Sequence, residues 1–361
     1  MSSGPPVLNY TDTEGQKLHT KMAMQNGCLD INAELERYYL PTVYGIQFVL
    51  GLVGNLIVIC SYLFCLKEWK CCNIYLFNLS ISDLLFTCTL PLLISYYGSG
   101  NKWAYNISSC QANKYILHFN IYASILFLTF ISWDRYQLVK NPLKVHFIQK
   151  KVNAVVICLG IWVFVTLELI PINTFSSNDN YNSSGNGSFV CTDFASSGDA
   201  SMNLVYSMYL TIVGFLIPLC IMLYMYIEIS RSLKKMKQER SKIRVKRPLR
   251  MVILAISIFT VLLTPYHIMR NVRVISRLEG VTMSKCGKSV VKAIYTITRP
   301  VAFLNSVTNP VFYFMMGDKF RGRITGKLQI FFSRKPGVSN KKENNIDQPS
   351  RFTKSSDELT Q

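Results

Sequence analysis

The stretch ISSCQANKYILHFNIYASILFLTFISWDRYQLV, residues 107–139, decides the fold. Its middle is an apolar run rich in Leu, Ile and Phe, long enough to cross a ~30 Å hydrocarbon core, which takes about 20 residues. The ionisable side chains sit toward its ends, Lys114 and His118 near one and Asp134 with Arg135 near the other. Working outward, six more runs of this kind occupy 40–66, 73–97, 152–172, 202–228, 251–275 and 290–314. The breaks between them are short and polar, so the runs predict one all-α seven-transmembrane helix bundle rather than a string of domains. The composition agrees, since 50% of the residues are hydrophobic and only 16% are charged.

Lys and Arg number 39 against 20 Asp and Glu, a net +19 that in a soluble chain would suggest nucleic acid. Its distribution suggests otherwise. Residues 230–250 hold Arg231, Lys234, Lys235, Lys237, Arg240, Lys242, Arg244, Lys246, Arg247 and Arg250 against Glu239 alone, which marks a cytoplasmic loop and puts the amino terminus outside. With that orientation the inner segments carry about +18, the outer segments −2 and the spans +3. The excess is therefore an orientation signal facing anionic lipid, and no nucleic-acid partner is expected. MSSGPPVLNYTDTEG lacks the basic and apolar regions of a cleavable signal, so the first span is expected to direct insertion.

Sequons and cysteines give an independent reading of the same orientation. Asn9, Asn106, Asn182 and Asn186 begin glycosylation sequons in segments assigned outside, whereas Asn78 begins one inside a span and should stay bare. Of 11 cysteines, Cys28, Cys110, Cys191 and Cys286 fall outside, and four cysteines allow two disulfides in three pairings. The chain thus divides into a glycosylated extracellular segment, 1–38, and the bundle, 39–316. An amphipathic surface helix with Phe320, Ile324 and Leu328 on one face follows over 317–332, and a polar cytoplasmic tail over 333–361. Basic residues flank that helix and suit membrane lipids, while Ser333, Ser339, Ser350, Thr353, Ser355 and Ser356 are candidate phosphorylation sites.

Polar groups at membrane depth are costly and mark function. One layer, Asn55, Asp83, Ser124, Asn305 and Asn309, lies in the middle to inner half of the spans. A second layer near the outer ends is almost entirely cationic: Lys114, His118, His267, Arg270 and Arg299. Lys114 and His118, four apart, share a helix face, and Arg270 and Arg299 sit at similar depth on two other spans. Glu168 is the one acid at that level of the spans, so the missing negative charge is expected from a ligand. A small dicarboxylate suits it, because each Arg offers a planar two-donor fork and Lys and His add single donors. Tyr44 and Tyr97, at the outer ends of the first two spans, can add hydroxyls. Taken singly, Lys114 and Arg273 also fit side chains snorkelling to headgroups, and His118 and His267 fit packed core histidines. His118 and His267 lack Cys or carboxylate partners at metal-ligand spacing, and neither a phosphate loop nor a nucleophile elbow is present. No enzyme, no organic cofactor and no metal at these histidines is expected.

These residues resemble the markers of the rhodopsin-like (class A) G-protein-coupled receptors. The resemblance runs from Tyr38 to Phe332 and rests on Gly54-Asn55, Leu79 to Asp83, Asp134-Arg135-Tyr136, Trp162, Pro218, Pro265 and Asn309-Pro310-Val311-Phe312-Tyr313. It implies a plasma-membrane receptor coupled to a heterotrimeric G protein, with arrestin and receptor kinases meeting the tail. It implies further that Asp134 restrains Arg135 at rest and that Tyr226 and Tyr313 support the opened state. Asp83, Ser124, Asn305 and Asn309 would hold an allosteric sodium ion, oxygen donors being what a hard cation takes. Hydrogen bonding between helices is the plainer use of the same groups. The resemblance pairs Cys110 with Cys191, which leaves Cys28 with Cys286. One departure is Leu262-Leu263-Thr264-Pro265, which lacks the aromatic residue usual two positions before the proline, although Phe259 stands one turn below.

Within the family, residues 124–131, 194–199, 264–273 and 298–305 resemble the branch that recognises small dicarboxylates. That implies succinate as ligand, clamped by Lys114, His118, Arg270 and Arg299 with Tyr44 and Tyr97; 2-oxoglutarate and then nucleotides are the neighbouring alternatives. Lys114 stands where that branch carries Arg, keeping the charge but not the fork. A dicarboxylate transporter would also bury Arg, but the odd span number and the absence of an inverted repeat argue against one. A retinal receptor would need a Lys deep in the seventh span, and Lys292 is at its outer edge.

Overall fold

A computed structural model describes residues 31–66, 69–140, 147–176, 190–235 and 239–310. Seven helices run through them: α1 (Asn32–Phe64), α2 (Cys71–Gly98), α3 (Ile107–Lys140), α4 (Lys151–Ser176), α5 (Ala200–Lys235), α6 over residues 239–275, and α7 (Lys285–Thr308). No strand occurs among the described residues. Six of the helices are long and apolar enough to cross a membrane. The seventh, α7, carries Lys285, Lys288, Lys292 and Arg299, and it completes the seven-helix bundle. Cys28, Asn9, Asn182, Asn186, Tyr313, the surface helix expected at 317–332 and the tail from 333 lie outside the described residues.

Central α3 packs against α2, α4, α5, α6 and α7, while α1, which touches α2 and α7, closes the ring. Burial follows position. Most of α3 is inside, whereas α1 and α4 each turn a face of Val, Leu and Ile outward, as lipid permits. Helix α1 begins two turns outward of the expected span, because Asn32 donates to the carbonyl and Oγ of Ser289, tying its first turn to α7. Trp162 of α4 donates to Asn78 of α2 at 3.0 Å, which gives the in-span sequon an internal role.

Three π-helical turns interrupt the helices: Leu35–Tyr39 in α1, Ile212–Leu216 in α5 and Phe259–Leu263 in α6. Each ends two residues before a proline, Pro41, Pro218 or Pro265. Proline cannot donate to the carbonyl four residues back and its ring collides with it, so the turn widens. Over the outer mouth lies the segment from Val190 to Asp199, with one 3-10 turn at Phe194–Ser196. A disulfide from Cys191 to Cys110 fastens it to the first turn of α3. Cys286 is disulfide-bonded as well, to a partner outside the described residues.

Candidate functional site

The outer half of the bundle opens on a cavity of about 230 Å³. Arg273, Lys292 and Arg299 line it together with Glu36, Asp193, Tyr97 and Tyr295. Arg299 is placed by two tyrosines: its Nε donates to Tyr44 at 3.2 Å and its Nη2 to Tyr97 at 2.6 Å, with the Tyr97 ring 5.4 Å from the guanidinium. The sequence puts Arg299, Tyr44 and Tyr97 on three different helices, and the structure brings them together. Two neutral hydroxyls orient the fork without cancelling its charge, so it stays available to an anion.

Around the cavity, Lys292 pairs with Glu36 at 2.8 Å, and Asn101 donates to the other oxygen of that carboxylate at 2.6 Å. Arg273 reaches the hydroxyl of Ser196 at 3.4 Å, so it points into the cavity rather than to headgroups. Asp193, between Cys191 and the 3-10 turn, brings a carboxylate into the same space. It accepts from the Tyr295 hydroxyl and from the Phe194 amide, and lies 3.9 Å from Nε2 of His118. The site therefore carries its own anion, supplied by a loop rather than by a span. Asp193 could have been found from the sequence, for it stands two residues after a cysteine tied by the implied disulfide to the helix carrying Lys114 and His118.

Lys114, His118, Tyr44 and Arg270 are buried beside this cavity rather than lining it. His118 Nδ1 bonds the carbonyl of Lys114 at 2.8 Å, which leaves Nε2 facing Asp193 and, at 3.4 Å, the hydroxyl of Tyr266. Arg270 is fully buried between α3, α5 and α6, outside the lining of this cavity. Its donors go to the hydroxyl of Ser207 at 3.0 Å, Tyr122 at 2.5 Å, the Ser207 carbonyl at 3.0 Å and Thr211 at 3.0 Å. The rings of Phe194 and Tyr266 pack on it, with centroids 5.8 and 5.5 Å from the guanidinium. Arg270 and Arg299 thus have separate sets of partners, and only Arg299 lines the cavity. Glu168 belongs to the Arg270 side, buried next to Gly214, with neither carboxylate oxygen hydrogen-bonded among the described residues. His267 is packed among Phe215, Tyr122 and Tyr266, and neither ring nitrogen has a partner there.

Deeper in the bundle, Asp83 accepts from Asn120 at 2.8 Å, Ser124 at 3.4 Å and Asn309 at 2.8 Å. Ser306 closes the group by donating to Asn120, and Asn55 donates to the Ser306 carbonyl at 3.1 Å. Asn120 and Ser306 join it unforeseen, though each is a helical turn or less from a residue the sequence singles out. The side-chain oxygens of Asn55, Asn305 and Asn309 find no donor among the described residues, and the amide nitrogen of Asn305 finds no acceptor there.

At the inner end Arg135 pairs with Asp134 at 3.3 Å, facing a second cavity of about 360 Å³ bordered by Lys70, Cys72 and Lys151. Tyr136 accepts from Lys140 at 2.6 Å, and its ring meets Tyr224, not Tyr226, which is exposed. Asn106 is exposed at the start of α3, where its side-chain oxygen accepts from the Ser109 amide.

Residues 54–313 match the family described as 7 transmembrane receptor (rhodopsin family). Among curated proteins, the chain is similar to succinate receptor 1 of Rattus norvegicus, 50% identical over 299 residues, covering 82% of this chain and 92% of the relative. The corresponding Mus musculus receptor is 47% identical over 315 residues, covering 86% and 98%. A purinoceptor of Homo sapiens is 36% identical over 289 residues, covering 80% and 76%.

Proposed function

Because the chain belongs to the rhodopsin family of seven-transmembrane receptors, we propose that it is a cell-surface receptor that senses extracellular succinate and signals through a heterotrimeric G protein. The observation that carries this is Arg299, a guanidinium in no salt bridge among the described residues, held by Tyr44 and Tyr97 in the wall of a small cationic cavity. A ligand carboxylate takes the fork of Arg299, and the second carboxylate meets the His118 side, where Lys114 adds charge. At about 230 Å³ the cavity is below the ~300–1,000 Å³ of drug-sized sites, which favours a four-carbon dianion over a nucleotide. Arg270, satisfied by neutral partners on α3 and α5, acts behind the ligand.

In this reading the amino terminus is outside, and Asn9, Asn106, Asn182 and Asn186 carry glycans. Cys286 pairs with Cys28. Asp134 restrains Arg135 until the G protein engages it, Tyr226 and Tyr313 stabilise the opened state, and the tail takes receptor kinases and arrestin. The surface helix rests on anionic lipid, and sodium at Asp83 favours the resting state. Catalysis is no part of the function.

A dicarboxylate and nucleotide panel read by G-protein activation tests the ligand. Succinate is expected to be the most potent, Arg299→Ala to weaken it at least ~30-fold through loss of two charge-assisted bonds, and Lys114→Arg to strengthen it. A higher potency for 2-oxoglutarate or ADP, or an intact response in Arg299→Ala, would sink the assignment.

A further inference from the structure

The segment holding Asp193 and Phe194 over the site is fixed by carbonyl oxygens, and most of their donors come from two side chains. Asn203 of α5 donates to the Phe194 carbonyl at 3.0 Å and to that of Ser197 at 2.6 Å. Arg277, just past the end of α6, donates to the carbonyls of Ala195 at 3.3 Å, Ser197 at 2.9 Å and Gly198 at 2.6 Å. Gly198 has φ +66°, a left-handed conformation that turns the chain and that glycine adopts without strain. Asp193 in turn caps this segment, its own carbonyl accepting from the Ser196 amide and the Ser197 hydroxyl. One guanidinium thus holds three carbonyls of the loop whose other end carries the carboxylate in the cavity.

We propose that Arg277 is a positioning residue of the ligand site: it fastens the Asp193–Gly198 segment to the outer end of α6, fixes where the Asp193 carboxylate stands, and so sets how fast a small dianion leaves. Arg277 is outside the residues lining the cavity, and the loop carbonyls it holds connect it to Asp193. The fixing is directional, since a planar fork holds several carbonyls at once and a Lys ammonium cannot reproduce that geometry. It also makes α6 and the loop one body at their outer ends, so a shift of α6 moves Asp193 with it. The kinetic consequence rests on the succinate reading, whereas the fixing itself does not.

Two measurements separate them. Ser197 is 2% exposed, so a Ser197→Cys receptor on intact cells should react slowly with a membrane-impermeant maleimide. Adding Arg277→Ala should raise that rate roughly tenfold by local opening, and Arg277→Lys by an intermediate amount. Equal protection in all three overturns the positioning role whatever the ligand proves to be. With labelled succinate, Arg277→Ala should speed dissociation roughly threefold to tenfold at normal surface expression, because the loop covering the site opens more readily and this outweighs the relief of Asp193's repulsion. The effect of Asp193→Asn on that rate should shrink when both changes are made, as coupled neighbours require. Additive effects, or an unchanged dissociation rate, overturn it; a receptor that ignores succinate but shows the maleimide effect overturns only the ligand.

Discussion

Arg299 and Asp193 show what a single side chain decides here. Both of the guanidinium's tyrosine bonds need the geometry of a fork, one at Nε and one at Nη2. Arg299→Lys keeps the charge but reaches one hydroxyl at a time, so succinate potency is expected to fall about tenfold, or ~1.4 kcal/mol, with the receptor still at the surface. Concentration–response curves corrected for surface expression measure this, and an unchanged midpoint would mean that charge alone suffices. Asp193 raises the opposite question. Its carboxylate faces His118 and Tyr295 where a ligand carboxylate would also go. Asp193→Asn preserves the shape and the acceptor for Tyr295 while removing the resident charge, so equilibrium binding of labelled succinate should tighten by a few-fold. A tenfold loss would instead make the carboxylate part of the ligand's support. Neither residue's role follows from its depth in the sequence, because depth says which layer a side chain occupies and not which neighbours it meets.

At the scale of elements, the prolines reach further than a local kink. Pro218 widens the turn at Ile212–Leu216, and Gly214 inside that turn lies so close to α3 that a Cβ there would sit 2.6 Å from the Tyr122 ring. Tyr122 is in turn the acceptor of Arg270 at 2.5 Å. Gly214→Ala should therefore displace Tyr122, unsettle a buried guanidinium and destabilise the receptor by about 1–3 kcal/mol. A thermal-shift measurement in detergent checks this, and an unshifted midpoint would show that α5 can move away at no cost. The helices themselves were legible, since a run of about 20 apolar residues admits little else. So were the prolines, but not the π turns, which depend on hydrogen-bond register rather than on composition. The same limit explains the two arginines. Arg270 and Arg299 look equivalent in sequence, yet the rotation of α6 aims one at Ser207 and Thr211, and α7 aims the other at Tyr44 and Tyr97. Loop residues were hardest to place, because Asp193 is positioned by a disulfide and by side chains from α5 and α6 rather than by any periodicity.

The whole molecule is arranged along α3, which takes part in all three polar levels: His118 at the outer site, Asn120 and Ser124 at Asp83, and Asp134 with Arg135 at the inner face. Helix α7 shares the first two, through Arg299 and Asn309. Ten residues separate those side chains, about 15 Å of helix, so a ligand that draws α7 toward α3 at the outer site also strains the cluster around Asp83. Asp83 joins three helices, and the side-chain oxygens of Asn55, Asn305 and Asn309 lack donors among the described residues, oxygen donors being what the proposed sodium ion would take. If sodium fits one spacing of α3 and α7 and succinate another, each must weaken the other by the same factor, typically between about 5-fold and 150-fold for coupled sites. Succinate affinity measured in sodium should therefore be lower than in an equal concentration of N-methylglucamine. Asp83→Asn should make the two media indistinguishable while leaving Arg299 and its tyrosines in place. Equal affinity of the unaltered receptor in both media would reduce the Asp83 cluster to a hydrogen-bonded joint between helices, and the outer site would then have to reach Arg135 by another path.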